Sequence, residues 1–302
     1  MKIIEKLFSC DNWNIALARR KNTSNILDYD FEWFPVSSAE FVADPFIIEY
    51  QKHIYVFFEK LYLLKSRGEL WCSVFNLNGE FIESSKLTGF DELGCHLSFP
   101  FIFKYRNDFY CIPETNERDE LILYKSKSFP FIWTKEKTLI VGHSIVDTVF
   151  VEHDDSYWLI GSDLDNNRQF FKSEGGLFDD WHQVDPCCSY ASNHQRMAGK
   201  PIIRNNELYF ITQECGKGFY GNSLILSKVD ILSESSYIET FIEQICPFDE
   251  QYNSGIHTLN YSENFVVIDS KKRKYSLIMP LIKLIYSLKC TYRLKMLKGN
   301  RK

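Results

Sequence analysis

The chain has 302 residues, 45% of them hydrophobic and 16% aromatic, which is enough to bury one large or two small cores and too apolar for an extended disordered region. Its formal net charge of −5 conceals a split: residues 271–302 hold eleven Lys and Arg and no acid, so the tail carries +11 and the body −16. An acidic body argues against nucleic acid as the main ligand, and nine cysteines without a CxxC pair read as reduced thiols, many of them buried, in a cytosolic protein.

In chain order, the opening MKIIEKLFSCDNW has no long apolar run, so no secretory leader is expected. Residues 13–17 (WNIAL) form a short apolar segment able to pair with a distant strand. Then a sixteen-residue pattern begins and recurs: residues 44–59 (DPFIIEYQKHIYVFFE), 99–114 (FPFIFKYRNDFYCIPE), 147–162 (DTVFVEHDDSYWLIGS), 199–214 (GKPIIRNNELYFITQE) and, more weakly, 255–270. Each copy is an apolar run, a polar turn (YQKH, YRND, HDDS, RNNE, YSEN) and a second run of aromatic and β-branched residues, which is the signature of a hairpin. The runs are nearly continuous rather than alternating, as in strands covered on both faces. Between copies lie LWCSVFNL, LILYKS, RQFFKS and SLILSKV as third strands, and Trp133 and Trp181 hold comparable places after them. Repeats about fifty residues apart, each with room for four short strands, predict an all-β fold: a five-bladed β-propeller over residues 1–270, closed by the 13–17 segment.

Residues 271–302 form a separate basic tail. After Pro280, the side chains of Leu281, Leu284, Ile285, Leu288 and Tyr292 share one helical face, with Lys283, Lys289 and Arg293 mostly off it. The stretch is too short and interrupted to span a bilayer. Residues 275–298 are expected either to lie as an amphipathic helix on an anionic membrane, placing the protein on the inner face of the plasma membrane, or to pack on the acidic propeller.

In a propeller the innermost strands begin at one mouth of a central funnel, so the copy starts are where chemistry is expected. They offer Asp44, His96 with Ser98, Asp147, Arg196 and His257; the second strands end on Glu59, Glu114 and Glu214. Carboxylates with separated pKa values are the equipment of glycosidic chemistry. His53, His143, His153, His182 and His194 read as surface or turn residues, and no metal spacing, P-loop, GxGxxG or GxSxG occurs.

Two family resemblances attach to these residues. FVADPFII with Asp44 and VDTVFVEHDDSYWL with Asp147 resemble segments of glycoside hydrolase family 43 propellers, which implies a general base at Asp44 and a pKa-setting carboxylate at Asp147. That family's general-acid Glu precedes Gly-Pro; here RMAGKP places Ala198 there, which counts against hydrolysis. The ordered set WNIAL, ADPF, HLSFPF, YCIPE, DTVF, RMAGK and the stretch from Gln213 to Gly221 more closely resembles the N-terminal propeller of glucosamine inositolphosphorylceramide transferases, over about residues 11–270. It leaves out the separate C-terminal domain that is the glycosyltransferase of the plant proteins. Bacterial relatives of the propeller occur in surface polysaccharide loci, such as those for O-antigen or capsule. The resemblance implies a carbohydrate-active protein acting on a nucleotide-sugar donor and a lipid-linked glycan acceptor, without cofactor or metal. Sugar transfer needs no acid for a diphosphate leaving group but does need cationic stabilisation. Asp44 is then the base, Asp147 or Glu114 orients the sugar, and Arg196, Lys200 and His257 or His96 face the phosphate, with Glu214 lining the site. A non-catalytic glycan-binding propeller and a divergent hydrolase are the alternatives.

Overall fold

The computed structural model describes residues 2–23, 26–36, 40–62, 64–190, 196–216 and 219–299; His194 lies outside them. Within them five sheets form a ring, and each runs from an inner strand outward. Blade one is Glu40–Tyr50, His53–Tyr62, Gly68–Asn76 and Phe81–Lys86. Blade two is Ser98–Tyr105, Asp108–Glu114, Glu120–Ser128 and Ile132–Val141. Blade three is Val146–His153, Ser156–Ser162, Arg168–Ser173 and His182–Val184. In blade four the inner strand is broken into Arg196–Met197 and Ile202–Arg204, followed by Glu207–Gly216, Phe219–Leu232 and Ser236–Ile245, with Cys187–Ser189 added in parallel at the outer edge. Blade five takes Gly255–Tyr261 and Phe265–Tyr275 from the end of the ring and Ser9–Arg19 and Glu32–Trp33 from its beginning.

The hairpins follow from their turn residues. Gln51–Lys52, Asp154–Asp155 and Asn205–Asn206 all take positive φ, as a two-residue turn matched to strand twist requires. The aromatic content packs the seams between blades. Phe46 meets Phe99 edge-on at 4.8 Å between blades one and two, and Phe103 meets Phe150 at 5.2 Å between two and three. The closing segment is longer than the sequence suggests: Ser9–Arg19 pairs residue by residue with Phe265–Tyr275. The last propeller strand therefore runs five residues into the tail assigned from charge alone. None of the nine cysteines is in a disulfide; Cys72, Cys95 and Cys111 are buried, whereas Cys187 and Cys246 are exposed.

One irregularity recurs and positions the site. Registers slip between Ala43 and Phe46, Ser98 and Phe101, Val146 and Val149, and Ile256 and Thr258. These bulges sit at the same place on four inner strands, and bulges re-aim side chains beside functional sites. Asp44, Phe99 and Asp147 occupy them with φ of 55°, 41° and 50°. Asp tolerates that conformation; Phe does so at a cost.

In blade four the strand break lets Ala198 approach blade five, where its carbonyl accepts the Leu259 N–H at 2.8 Å. A Cβ on Gly199 would lie 2.1 Å from the Leu259 carbonyl oxygen. Gly199→Ala is therefore expected to cost about 1–3 kcal/mol through backbone displacement. A lowered denaturant midpoint at unchanged slope would show it; an unchanged midpoint would mean that this contact is not needed.

Candidate functional site

The bulges gather two clusters at the mouth. The first is built on Asp44, which is 5% exposed. Its carboxylate accepts the Phe99 N–H at 3.1 Å and the Thr258 hydroxyl at 3.3 Å, and lies 3.4 Å from His257 Nε2. The other ring nitrogen, Nδ1, is 2.6 Å from Asp269. Asp269 is fully buried and accepts backbone N–H groups of Asp44, His257 and Thr258 at 2.9, 3.2 and 2.8 Å. The result is a buried carboxylate–imidazole–carboxylate relay. Trp13 stacks on His257 at 3.8 Å, and Tyr220 meets the same ring edge-on at 5.3 Å. Gly221 makes this possible: a Cβ there would lie 2.6 Å from His257 Cβ and 2.7 Å from the Trp13 ring.

The second cluster is Asp147, Glu114 and Arg196. Arg196 Nε donates to Asp147 at 2.6 Å, and its Nη2 is 4.0 Å from Glu114. Gln213 donates to Asp147 at 2.9 Å, and the Asp147 N–H donates to Glu114 at 3.2 Å. The Arg196 guanidinium also lies over the Tyr220 ring at 5.3 Å, so Tyr220 borders both clusters. Beside them His96 Nε2 is 3.1 Å from Glu59, while its Nδ1 accepts the Gly68 N–H at 3.0 Å. That acceptor role leaves the Nε2 proton for Glu59.

Burial dominates the electrostatics. It pushes Asp44 up to about 7, with the charges of Glu59, Asp269 and Asp147 adding and His257 offsetting. Burial and then Asp147 push Glu114 up to about 8, with Arg196 and His96 opposing. Burial also works against charge on His257, but Asp269 first and Asp44 next outweigh it, so the ring is held protonated above its usual range. Asp44 and Asp147 each act on the other cluster's carboxylates, so the two clusters share one electrostatic site.

Two residues expected in the site lie elsewhere. Glu214 turns away from the mouth to Asn222 and Ser223, at 2.7 and 2.8 Å, because strand alternation gives the inward place to Gln213. The Lys200 ammonium reaches the Ile47 carbonyl at 2.8 Å, past the bulge of blade one, and burial alone brings its pKa down to about 7. His257 sits with Asp44 rather than beside Arg196. Asp269, Thr258, Gln213 and Trp13 are the site members that sequence reasoning did not single out. Asp269, an acid inside the apolar run FVVIDS, was the available signal.

The ligand atoms of Asp44, His257 and Asp269 lie within 4.8 Å of one another, a spacing that also suits a cation. However, both Asp269 oxygens are committed to N–H donors and His257 Nδ1 is bonded to Asp269. The donor set is satisfied as a hydrogen-bonded relay.

The raised carboxylates have a thermodynamic consequence. Unfolded, Glu114 and Asp44 release their protons near 4.5 and 3.8; folded, near 8 and 7. The folded state then holds protons that the unfolded chain has lost, so stability falls as pH rises across that window. His257 acts with the same sign: its contribution is complete below 6.5 and disappears as pH passes its raised folded value. The melting temperature is expected to be higher at pH 6 than at pH 8.5, and Glu114→Gln is expected to flatten that difference. An unchanged pH dependence in the variant would show that Glu114 is ionised throughout.

Comparison with known proteins agrees with this architecture. Over 213 residues the chain is 31% identical to glucosamine inositolphosphorylceramide transferase 1 of Arabidopsis thaliana, covering 67% of this chain and 27% of that protein. The corresponding protein of Oryza sativa subsp. indica is 32% identical over 210 residues, 67% of this chain and 28% of the relative. The chain thus spans little more than a quarter of these relatives. Among solved structures, an exo-β-1,3-galactanase of Phanerochaete chrysosporium with β-1,3-galactotriose superposes with a TM-score of 0.56 at 14% identity, over 73% of this chain and 55% of that one. An arabinanase of Bacillus subtilis gives 0.54 at 12% identity, over 76% and 94%. These likenesses show a shared propeller fold. The family "Glucosamine inositolphosphorylceramide transferase 1, N-terminal" matches residues 34–260. With that match running across most of the ring and taking in Asp44, Glu114, Asp147, Arg196 and His257, the chain belongs to this family.

Proposed function

We infer that the protein is a carbohydrate-active propeller that transfers a sugar from a nucleoside-diphosphate donor to a hydroxyl of a glycan acceptor. The observation that carries this reading is the Asp44–His257–Asp269 relay, with Arg196 held by the carboxylates of the neighbouring cluster and Ala198 in the break of blade four's inner strand. The family's name, a glucosamine inositolphosphorylceramide transferase, supports the substrate class.

In this scheme the acceptor O–H gives its proton to Asp44, its oxygen bonds to the sugar C1, and the C1–O bond to phosphate breaks. The nucleoside diphosphate leaves with the bonding electron pair as a stable anion and requires no proton. Asp44 suits the base role because a pKa of about 7 makes it basic enough to accept a proton and ionised enough to do so near neutrality. Asp269 fixes His257, and His257 lowers the cost of charge on Asp44. Asp147 and Arg196 bind the sugar and the departing diphosphate from the opposite side. The pathway is proposed to be surface polysaccharide assembly in a bacterium.

A second reading has one specific observation in its favour. Glu114, pushed to about 8, carries a proton at neutral pH and can serve as the acid that Ala198 cannot. That would permit hydrolysis of a glycosidic bond.

One assay separates the readings: purified protein with a panel of nucleoside-diphosphate sugars and glycan acceptors. Release of nucleoside diphosphate together with an extended acceptor, lost by at least about a hundredfold in Asp44→Asn, is the expected result for a general base. Its rate should rise with pH through about 7, following Asp44. Free sugar released from a glycan, and abolished by Glu114→Gln, would establish the hydrolase instead. Glycan binding without turnover would leave a binding module and sink both enzymatic readings.

A further inference from the structure

The C-terminal helix, Met279–Gly299, has two faces, and the propeller uses one of them. Met279, Ile282, Tyr286, Cys290, Arg293 and Leu297 recur every three or four residues and are buried or half-buried, on the side where the helix meets the ring and the N-terminal helix Lys2–Phe8. Arg293 clamps Glu117 through Nε and Nη2 at 3.0 and 2.7 Å, and Lys289 reaches the Leu64 carbonyl at 2.6 Å. Glu117 also accepts the His96 N–H at 2.8 Å, and Tyr286 lies close enough to Glu59 to feel its charge. The helix therefore lies on the mouth face of the propeller, beside the site.

The opposite face is apolar and uncovered among the described residues. Leu281, Leu284, Leu288 and Tyr292, spaced along one stripe, are 57–67% exposed, and Leu277 just before the helix is 88% exposed. Apolar stripes of this extent are uncommon on a protein surface without a partner. Beside the stripe runs an open groove of about 420 Å³, walled by Lys65, Arg67, Leu288, Lys289, Tyr292 and Arg293. The Arg67 Nε at its edge is buried with no hydrogen-bond partner among the described residues. After the last propeller strand, from residue 276 onward, the sequence has seven cationic side chains and no acid.

We propose that this face docks on an anionic lipid surface. The leucines and Tyr292 enter the boundary between head groups and acyl chains, while Lys65, Arg67 and Lys289 meet lipid phosphates. Charge complementarity selects this occupant. A second copy would bring one +7 tail against another and be repelled. A bilayer rich in anionic lipid offers the opposite charge and an apolar layer at the depth the stripe needs. The helix is not long and apolar enough to cross, so it lies in the plane of the interface. Because the helix rests on the mouth rim, docking holds the mouth at the head-group layer, where an acceptor carried on a lipid would be presented.

The test is co-sedimentation of the whole chain with phosphatidylcholine vesicles, with and without phosphatidylglycerol. Binding is expected only to the anionic vesicles and should weaken with salt. Leu284→Asp with Leu288→Asp should reduce it by at least about tenfold, and Lys65→Gln by about fivefold. All three side chains lie at the surface, so the circular dichroism spectrum and melting temperature should remain those of the parent. As a measurement independent of affinity, Tyr292→Trp should show a blue-shifted emission on adding anionic vesicles. Equal binding to neutral vesicles, binding indifferent to these substitutions, or a concentration-dependent dimer abolished by the leucine substitutions would each overturn the proposal.

Discussion

A ring of sheets has one seam where the chain's two ends must meet, and here that seam carries the rest of the structure. Ser9–Arg19 lies along Phe265–Tyr275 in an unbroken register, so blade five is built from both ends of the ring and clasps it shut. The same pairing carries Trp13 to the face of His257 and sets Lys271 over the Trp13 ring at 5.0 Å. Lys271 in turn donates to Asp11 at 3.0 Å. A cation, an indole and an imidazole are thus stacked across a junction between residues more than 240 positions apart in the sequence. The candidate site is complete only when the ring is closed.

Within that ring the recurring bulge converts a structural repeat into a converging set of side chains. A regular strand would alternate its residues between two packed faces. Slipping the register at the same place on four inner strands turns one residue of each toward the axis instead. Which residue stands there decides the chemistry: Asp in blades one and three, Phe in two, His in five. Phe99 shows that the geometry is a property of the scaffold, since a bulky side chain is held at positive φ where no catalytic advantage is evident. Its backbone N–H binds Asp44, which is the service this strained residue performs.

Much of this was legible in the sequence because a hairpin repeat survives as a pattern of apolar runs and turns. Asp44, Asp147, Glu114, Arg196 and His257 could be placed at the mouth because they sit beside the copy starts. The errors arise where the backbone departs from the repeat. In blade four the inner strand breaks after Met197, which shifts the inward position from Glu214 to Gln213 and sends Lys200 along the channel wall to Ile47. Asp269 was missed because it stands one residue before the end of the weakest copy, paired with Thr258 just past the bulge, whereas the carboxylates Glu59, Glu114 and Glu214 end theirs. The tail offered two helical stripes of similar hydropathy, and periodicity cannot say which one a neighbouring surface covers. The stripe singled out from the sequence proved to be largely the exposed one, with only Ile285 half-covered.

The crowding of acids at the mouth makes its charge a variable. Asp44, Asp147, Glu114, Glu59 and Asp269 stand with the cations Arg196 and His257 in one buried set. Even with Glu114 protonated, the other four carboxyl groups outnumber the two cations. Each further proton lost adds to that excess, and burial is what delays the loss. The mouth is thus a reservoir of protons whose charge follows pH.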